Sequence, residues 1–452
     1  MFNENNVDVL LGNPKRALVR MSIPLIISLL ISSLYNLIDA MWVSSLGADA
    51  LAGVGFVTPI FMILIGFGNG LGAGAAFALS KYIGEENKQK ADNGSIHSIL
   101  ITILTSIILT LVLLIFLKDI LNLMGAGQTI GYAMDYGLII VSGSIFVILS
   151  NALYGIFRGE GDSSRPMYAM IASAILNIIL DPIFIYTLGL GVKGAAIATL
   201  ISSLFVIFVL FYWFYIKKDT YLKPYFANFK FEKEISIDII KVGFPASLQL
   251  LNNALFAALF SALLAFISST DSVAVYSTGW RVVIIGTTPI LAIGTALISV
   301  IAANYGARNY ENIKIAHRYA MKISMLFAVL VMILTMVFAP QIASVFASGS
   351  SERIYGELTA FLTWIVLYYP TMAVGVASTY VFQGIGRGIT AMFQTIMRET
   401  GFTLCFALLF TLVFNWGIWG AWMGIVLGEI VSNNITLIWA NSHINKLIYF
   451  ID

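Results

Sequence analysis

Residues 193–216, KGAAIATLISSLFVIFVLFYWFYI, decide the class of fold, because after Lys193 they contain no charged side chain. About 20 predominantly apolar residues in a helix are enough to cross the hydrocarbon core of a membrane. Water-soluble domains carry about 25% charged residues. In this chain 59% of the residues are hydrophobic and 11% are charged. The sequence therefore predicts an all-α integral membrane protein.

Twelve segments meet the same length and hydropathy criterion, and an even number of spans puts both chain ends on one side of the membrane. The predicted spans are 18–45, 50–80, 94–117, 128–155, 166–189, 193–216, 237–268, 275–304, 315–345, 354–384, 390–413 and 418–445. All but four of the 25 Lys and Arg residues then fall on the side of the termini. Because cytoplasmic loops are enriched in Lys and Arg, we expect a multi-pass protein of the cell membrane with both termini in the cytoplasm.

The two halves of the chain resemble each other at a shift of 221–226 residues, and the matches keep their order. Pro24 matches Pro245, 83–87 matches 305–309, 157–161 matches 382–386, and 191–195 matches 417–421. Each half has six spans, so the halves share one orientation and form a parallel repeat of the kind found in secondary transporters. We predict a first lobe over 1–216, a cytoplasmic linker over 217–236 and a second lobe over 237–452.

Two acidic residues lie deep inside predicted spans of the first lobe, where ionisable groups are costly and indicate a functional site. Asp39 shares a helix face with Tyr35, and Asp181 shares one with Asn177, because each pair is four residues apart. Pro182 frees carbonyl oxygens in the turn around Asp181. These oxygens suit a hard cation such as Na⁺. Burial also makes a carboxyl group easier to protonate, so H⁺ is the alternative.

Other acids support this site less strongly. A structural role as hydrogen-bonding groups remains the alternative for Asp39 and Asp181. Glu399 is expected to be compensated locally by Arg398 near the cytoplasmic end of its helix, and Glu429 is open to either interpretation. The internal repeat places Phe406 opposite Asp181, and Phe260 or Ser261 opposite Asp39. The acid pair therefore belongs to the first lobe alone.

Several cofactor classes are excluded by the residues present. Cys405 is the only cysteine, and the three histidines, His97, His317 and His443, share no helix face with another metal ligand. We therefore expect no cofactor, and no metal site other than Na⁺ at Asp39 and Asp181. The glycine-rich segment 66–74 lies inside a predicted span, so it is interpreted as a helix-packing surface and not a nucleotide loop. A net charge of +2 gives no indication of nucleic-acid binding.

Residues 177–186, NIILDPIFIY, and 189–199, GLGVKGAAIAT, resemble the multidrug and toxin extrusion family closely. Residues 158–162 and 304–309 resemble its loop signatures, and the early aspartate Asp39 is similar to the branch with archaeal and DinF-like members. The resemblance covers nearly the whole chain. It implies a V-shaped fold of twelve helices in two lobes, and export of bulky cationic compounds coupled to a cation gradient, without enzymatic activity.

The resemblance also implies roles for individual residues. Asp39, Asn177, Asp181 and Thr199 match a cation site, with Tyr35 beside it, and Tyr136, Asn151 and Asn36 are expected in the substrate cavity. Arg281 matches a basic residue whose acidic partner is expected to be Asp271. Other branches have an acid in the seventh helix, where this chain has only amides, so that pattern is not transferred. The amides are Gln249, Asn252 and Asn253.

Three other functions compete with cation-coupled export. A flippase for lipids or lipid-linked oligosaccharides should carry basic residues inside its cavity, whereas Arg281 and Arg398 are expected near opposite ends of the spans. A membrane-embedded enzyme could use Asp39 and Asp181 as a dyad, and a channel is the third alternative. The predicted partners are small organic cations and membrane lipids, and a monomer is expected.

Overall fold

The structure, a computed structural model, describes residues 6–268, 270–347 and 349–449, and the outermost residues of both predicted lobes lie outside these ranges. All regular secondary structure in the described ranges is helical. Ten single helices and two bent helix pairs are long and apolar enough to cross a membrane. Numbered α1 to α12, they are Pro14–Ser44, Ala48–Gly84, Lys88–Leu123, Gly127–Ser142 with Ser144–Gly159, Ser164–Thr187, Val192–Lys217, Lys233–Ile267, Asp271–Gly306, Tyr310–Val337, Glu352–Ile365 with Tyr368–Gly384, Gly388–Val413 and Gly417–Tyr449. Short helices cover Asn6–Leu11, Phe226–Asn228 and Ala339–Phe346.

Spans α4 and α10 are bent, by 51° and 48°, although the sequence predicted each as one continuous helix over 128–155 and 354–384. The bend in α4 falls at Gly143, where the side chain of Leu200 occupies the space that a Cβ would need. The bend in α10 falls at residues 366–367. The two breaks stand at matching positions of the internal repeat, so the bend is a feature of the duplicated fold.

The predicted ninth span, 315–345, is too long at its end. Span α9 ends at Val337, and the separate helix Ala339–Phe346 begins with Pro340 in its first turn. Proline is tolerated in a first helical turn because its missing N–H would be unpaired there in any case. Pro340 therefore starts a new helix and does not kink a continuous one.

The two lobes meet through α1 and α2 of the first lobe and α7 and α8 of the second. A Cβ on Gly84 of α2 would stand 1.9 Å from the carbonyl oxygen of Ala303 in α8, and one on Gly306 would stand 2.0 Å from that of Lys81. This reciprocal contact places equivalent residues of the repeat against each other. Gly74 approaches Ile239 of α7 in the same way, at 2.2 Å. The packing interpretation of the glycine-rich segment 66–74 is confirmed.

A polar cluster joins the lobes where α2 ends and α7 begins. We call this end of the molecule the basic end. Asp238 of α7 accepts hydrogen bonds from Lys81 Nζ at 2.7 Å and from the Tyr82 hydroxyl at 2.8 Å, both on α2. Lys241 of its own helix adds a second ion pair at 2.5 Å. The side chain of Asp238 is 6% exposed. This cluster is an interlobe ion pair close to the glycine contact.

The connection between the lobes, residues 218–232, is bound along the basic end of the first lobe. Arg165 pairs with Asp219 at 3.1 Å, and Glu160 accepts the Leu222 N–H at 2.9 Å. Further along, the Glu232 N–H donates to His97 Nε2 at 3.0 Å. Because these contacts are all to the first lobe, the connection belongs to that lobe until α7 begins at Lys233.

Candidate functional site

The candidate site lies between α1, α5 and α6 of the first lobe. Asp181 is completely buried, and its neighbour one turn earlier, Asn177, is 1% exposed. Helix α5 is regular through Pro182 and then widens into a π-helical segment, Ile183–Thr187. Proline lacks the N–H that continues a helix ladder, and π-helical turns are frequent at functional sites. The irregular turn therefore follows Asp181 directly, as its sequence predicts.

The carboxyl groups of Asp39 and Asp181 lie within hydrogen-bonding reach of each other. Two carboxyl groups in such contact hold a proton between them, or a cation replaces that proton. One oxygen of each, Oδ1, is buried and has no hydrogen-bond donor among the described residues. Buried polar atoms are normally satisfied. These two oxygens are therefore available to a proton or to a cation.

Neutral polar groups complete this arrangement. With its amide oriented to satisfy both neighbours, Asn177 donates to Asp181 Oδ2 at 2.7 Å and accepts from the Thr199 N–H at 3.3 Å. The Thr199 hydroxyl donates to the carbonyl oxygen of Ala195 at 3.0 Å and also lies within hydrogen-bonding reach of Tyr35. No group of three His, Cys, Asp or Glu side chains in the described ranges could hold a metal. A cation here would thus be bound by two carboxylates and neutral oxygens.

The structure brings six of the eight predicted site residues together. Tyr136 is 6% exposed and lies close to Tyr35, Thr199 and both acids. We call this set the acid-pair site: Asp39, Asp181, Asn177, Thr199, Tyr35 and Tyr136. Asn151 lies against Gly68 on α2 and bonds to Val147 of its own helix at 2.8 Å, and Asn36 is exposed. Neither is seen to contact the acid pair, and their role in a substrate cavity stays a prediction.

The outer ends of α1 and α5 are tied together beyond the acid pair. The Tyr186 hydroxyl donates to the carbonyl oxygen of Trp42 at 2.7 Å and contacts the Ser45 hydroxyl. The two aromatic rings meet edge to face at 6.1 Å. A movement of α1 relative to α5 at this end must therefore change this contact. No pattern in the sequence predicted it.

The second lobe contains a buried charged cluster that the sequence placed wrongly. Arg398 was expected near the cytoplasmic end of its helix, but it is the eleventh residue of α11 and only 8% exposed. It lies in another π-helical segment, Met397–Thr403. Its Nη2 donates to Glu399 at 2.9 Å, and its Nε lies 3.7 Å from Glu429 of α12. The expected pairing of Arg398 with Glu399 is confirmed, but at depth.

Amide side chains satisfy the same two acids. Asn252 of α7 donates to Glu399 at 2.8 Å, and Asn253 can donate to it at 2.8 Å in its favourable orientation. Asn433 donates to Glu429 at 2.8 Å. Thus α7, which has amides and no acid at positions 249–253, binds an acid from α11. The cluster has a permanent cation between its acids, which the acid-pair site lacks.

Two further expectations about arginines are corrected. Asp271 pairs with Arg353 at 2.8 Å and is not the partner of Arg281. Arg158, counted among the cytoplasmic loop residues, is the last residue but one of α4 and is only 8% exposed. The interior of the protein therefore holds two arginines, Arg158 and Arg398, where almost none was expected.

Two repeated six-helix lobes, with a carboxyl pair in one of them, are typical of a membrane transporter. The MatE family model matches residues 24–183 and 245–409, one segment in each half, and together they make up more than half of the chain. The chain belongs to this family of multidrug and toxin extrusion transporters. It is accordingly a transporter and not an enzyme.

Named relatives agree with this assignment. The chain is 27% identical over 385 residues to the multidrug export protein MepA of Staphylococcus saprophyticus. This alignment covers 85% of this chain and 84% of the relative. It is 30% identical over 361 residues to a FAD transporter of Shewanella oneidensis, covering 78% of each. A solved structure of MATE in complex with MaL6 aligns with a TM-score of 0.96 at 36% identity, over 99% of this chain and all of the other.

Proposed function

We propose that this protein is an antiporter of the cell membrane that exports amphiphilic, mostly cationic organic compounds in exchange for H⁺ or Na⁺. The acid-pair site carries this proposal, because Asp181 is buried, Asp39 is half-buried within reach of it, and each has one buried oxygen without a hydrogen-bond partner. Among the described residues no arginine or lysine pairs with either acid. A site of this kind is neutral when loaded with one H⁺ or Na⁺ per carboxylate and charged when empty. Its occupancy therefore responds to an ion gradient.

Transport is proposed to follow alternating access, in which the two lobes rock about the interface of α1 and α2 with α7 and α8. Ion and substrate are coupled only if each binds more tightly to one arrangement of the lobes than to the other. Both termini and the basic end are proposed to face the cytoplasm, by the distribution of Lys and Arg. The protein is proposed to act as a monomer within its lipid environment.

A second candidate is the movement of molecules that carry acidic groups, including lipids or lipid-linked oligosaccharides. The observation in its favour is that Arg158 and Arg398 are buried. A relative that shares 30% identity is named a FAD transporter, and FAD is a compound with acidic phosphate groups. Arg398 is compensated by Glu399 and Glu429, however, and export of cations remains the first proposal.

The test is efflux of rhodamine 6G, a fluorescent cation, from proteoliposomes containing the purified protein. H⁺ and Na⁺ gradients are imposed separately, and liposomes without protein are the control. We expect efflux to accelerate under one of the two gradients and to collapse when that gradient is dissipated. Efflux that ignores both gradients would reject coupling. Movement of a fluorescent phospholipid between the leaflets without a gradient, at a rate equal to that of rhodamine 6G efflux, would support the flippase instead.

A further inference from the structure

Arg158 occupies a position from which an arginine normally reaches water. It is the last residue but one of α4, at the basic end of the molecule. Long basic side chains near helix ends usually extend their charge into the aqueous interface. Arg158 does the opposite and is only 8% exposed.

The guanidinium points back along its own helix, toward the interior. A Cβ on Gly72 of α2 would stand 3.2 Å from Arg158 Nη2 and 3.1 Å from the carbonyl oxygen of Asn151. The charge thus lies at the level of a residue two turns earlier in α4. Side chains in a helix tilt toward its N-terminus, which here is the direction away from the basic end. Gly72 leaves the room that the guanidinium occupies.

No acidic side chain compensates this charge. Across the described ranges Arg158 takes part in no ion pair, and its Nε is buried without a hydrogen-bond acceptor. The ionisable groups near enough to interact with it electrostatically are the phenols of Tyr154, one turn earlier, and Tyr380 of the second lobe. Arg398 shows the contrasting case, since two glutamates accompany it. A buried charge without a partner is strongly destabilising, so a partner is expected from outside the chain.

The fold itself does not require a charge at this place. In the internal repeat, segment 157–161 matches 382–386, and Arg158 corresponds to Gln383. Gln383 is 3% exposed and donates to Gln249 of α7 at 3.0 Å. An uncharged amide therefore serves in the second lobe where the first lobe has an arginine.

We propose that Arg158, with the phenols of Tyr154 and Tyr380, binds an acidic group, a phosphate or a carboxylate, of an amphiphile that enters between the lobes. A guanidinium matches the geometry of such a group with two parallel hydrogen bonds, and phenol hydroxyls add donors. Because Tyr380 belongs to the second lobe, a bound acid contacts both lobes. This inference rests on the proposed transport function and extends its substrates from cations to compounds with an acidic group.

The test uses riboflavin and riboflavin 5′-phosphate, two fluorescent amphiphiles that differ only by a phosphate. Binding to the purified protein in phosphatidylcholine nanodiscs is followed by fluorescence anisotropy. We expect the wild type to prefer the phosphate form by about tenfold or more, as one charge-assisted contact gives. Arg158→Gln, which copies the residue at the matching repeat position, should abolish the preference, and Arg158→Lys should keep part of it. Arg318→Gln, at an exposed arginine of α9, is the matched control and should keep all of it.

Equal binding of both flavins by the wild type, or no binding of the phosphate form, would overturn the proposal. A full preference retained in Arg158→Gln would overturn it as well. Adding phosphatidylglycerol to the nanodiscs separates two sources of the acid: displacement of the flavin phosphate assigns the site to lipid headgroups, and no displacement assigns it to a soluble amphiphile.

Rhodamine 6G efflux in the wild type is measured in parallel. Normal efflux without a phosphate preference refutes this inference alone, and a preference without gradient-driven efflux refutes the antiporter proposal alone.

Discussion

Asp181→Asn is the change that tests the acid-pair site most directly. The residue is completely buried, lies within reach of Asp39, and accepts a hydrogen bond from Asn177 at 2.7 Å. Asparagine has nearly the same shape, and its carbonyl oxygen can still accept from Asn177. The substitution therefore removes a charge while keeping the packing of α5 against α1. We expect the variant to fold and insert but to lose gradient-driven efflux.

The size of the loss follows from the electrostatics of the site. A cation held between the two acids would lie about 4 Å from each carboxylate charge, and at an effective dielectric constant of about 20 one such interaction contributes about 4 kcal/mol. Since each 1.4 kcal/mol is a factor of ten, the ion affinity should fall by roughly a thousandfold. At gradients that drive the wild type, the variant should then remain without its ion, and efflux should approach the rate of empty liposomes.

The assay is rhodamine 6G efflux from proteoliposomes with matched amounts of inserted protein, checked by thermal melting in detergent. Glu429→Gln is the control, because Glu429 is also buried, at 3% exposed, but already lies beside Arg398. It should weaken transport less than Asp181→Asn does. Wild-type efflux in Asp181→Asn would show that the pair does not couple transport. Equal losses in both variants would refute the assignment of coupling to the first lobe.

Three further predictions concern the coupling ion, the interlobe ion pair of Asp238 and the buried acid Glu160. If the coupling ion is H⁺, drug binding in weak buffer between about pH 5 and 8 should release protons from the wild type and not from Asp39→Asn; expulsion of Na⁺ without protons would identify sodium instead. Asp238→Asn removes the negative charge that pairs with Lys81 and leaves a single amide oxygen to accept from Lys81 and Tyr82. A loss of about 1–3 kcal/mol should shift the lobes toward separation at the basic end by roughly 5- to 150-fold, as spin-label distances would show, and unchanged distances would contradict this. Burial raises the pKa of Glu160 to about 8, so the stability that its protonated form contributes is complete below its ordinary pKa near 4.5 and is lost as pH rises through 8. The melting temperature should fall more between pH 5 and 8 in the wild type than in Glu160→Gln, and parallel curves would disprove this.

Hydropathy predicted the twelve spans because the requirement for about 20 apolar residues is local and strong. It missed the bends in α4 and α10, since a bend leaves the composition of a span unchanged. Gly143 was a visible signal for the first break. Its reason was not visible, because the side chain of Leu200 that fills the space beside Gly143 comes from a helix distant in sequence. Pro340 was the corresponding signal for the end of α9.

The neighbours of the acid pair could be predicted in part, because Tyr35 and Asn177 lie one turn from the acids on their own helices. Thr199 and Tyr136 came only from the family resemblance. Their convergence depends on how α4 and α6 pack beside α1 and α5, and nothing in the local sequence specifies that packing. The tie between Tyr186 and Trp42 was missed for the same reason.

Arg158 was placed wrongly because its charge was assigned from its position along the chain and not from the direction of its side chain. Arg158 lies close to the end of its predicted span, which is where loop residues are counted. Its helix runs toward the basic end, however, and helical side chains tilt back toward the N-terminus. A basic residue at that end of α4 is therefore directed into the protein. The same rule can be applied from sequence to any span once its direction is known.

The repeat duplicates the packing of the lobes but not their charge. Where the first lobe has Asp39, the second has Phe260 or Ser261, neither of them an acid. The ring of Phe260 is completely buried, and its centroid lies 4.9 Å from that of Tyr276. The acids of the second lobe, Glu399 and Glu429, both lie beside Arg398, a cation that stays in place whatever the ion gradient. An acid with a permanent partner changes its charge little when an external ion arrives. In the proposed antiport, binding or release of the ion should therefore change the net charge of the first lobe alone. We propose that the interlobe contacts of α1 and α2 transmit this change to the second lobe.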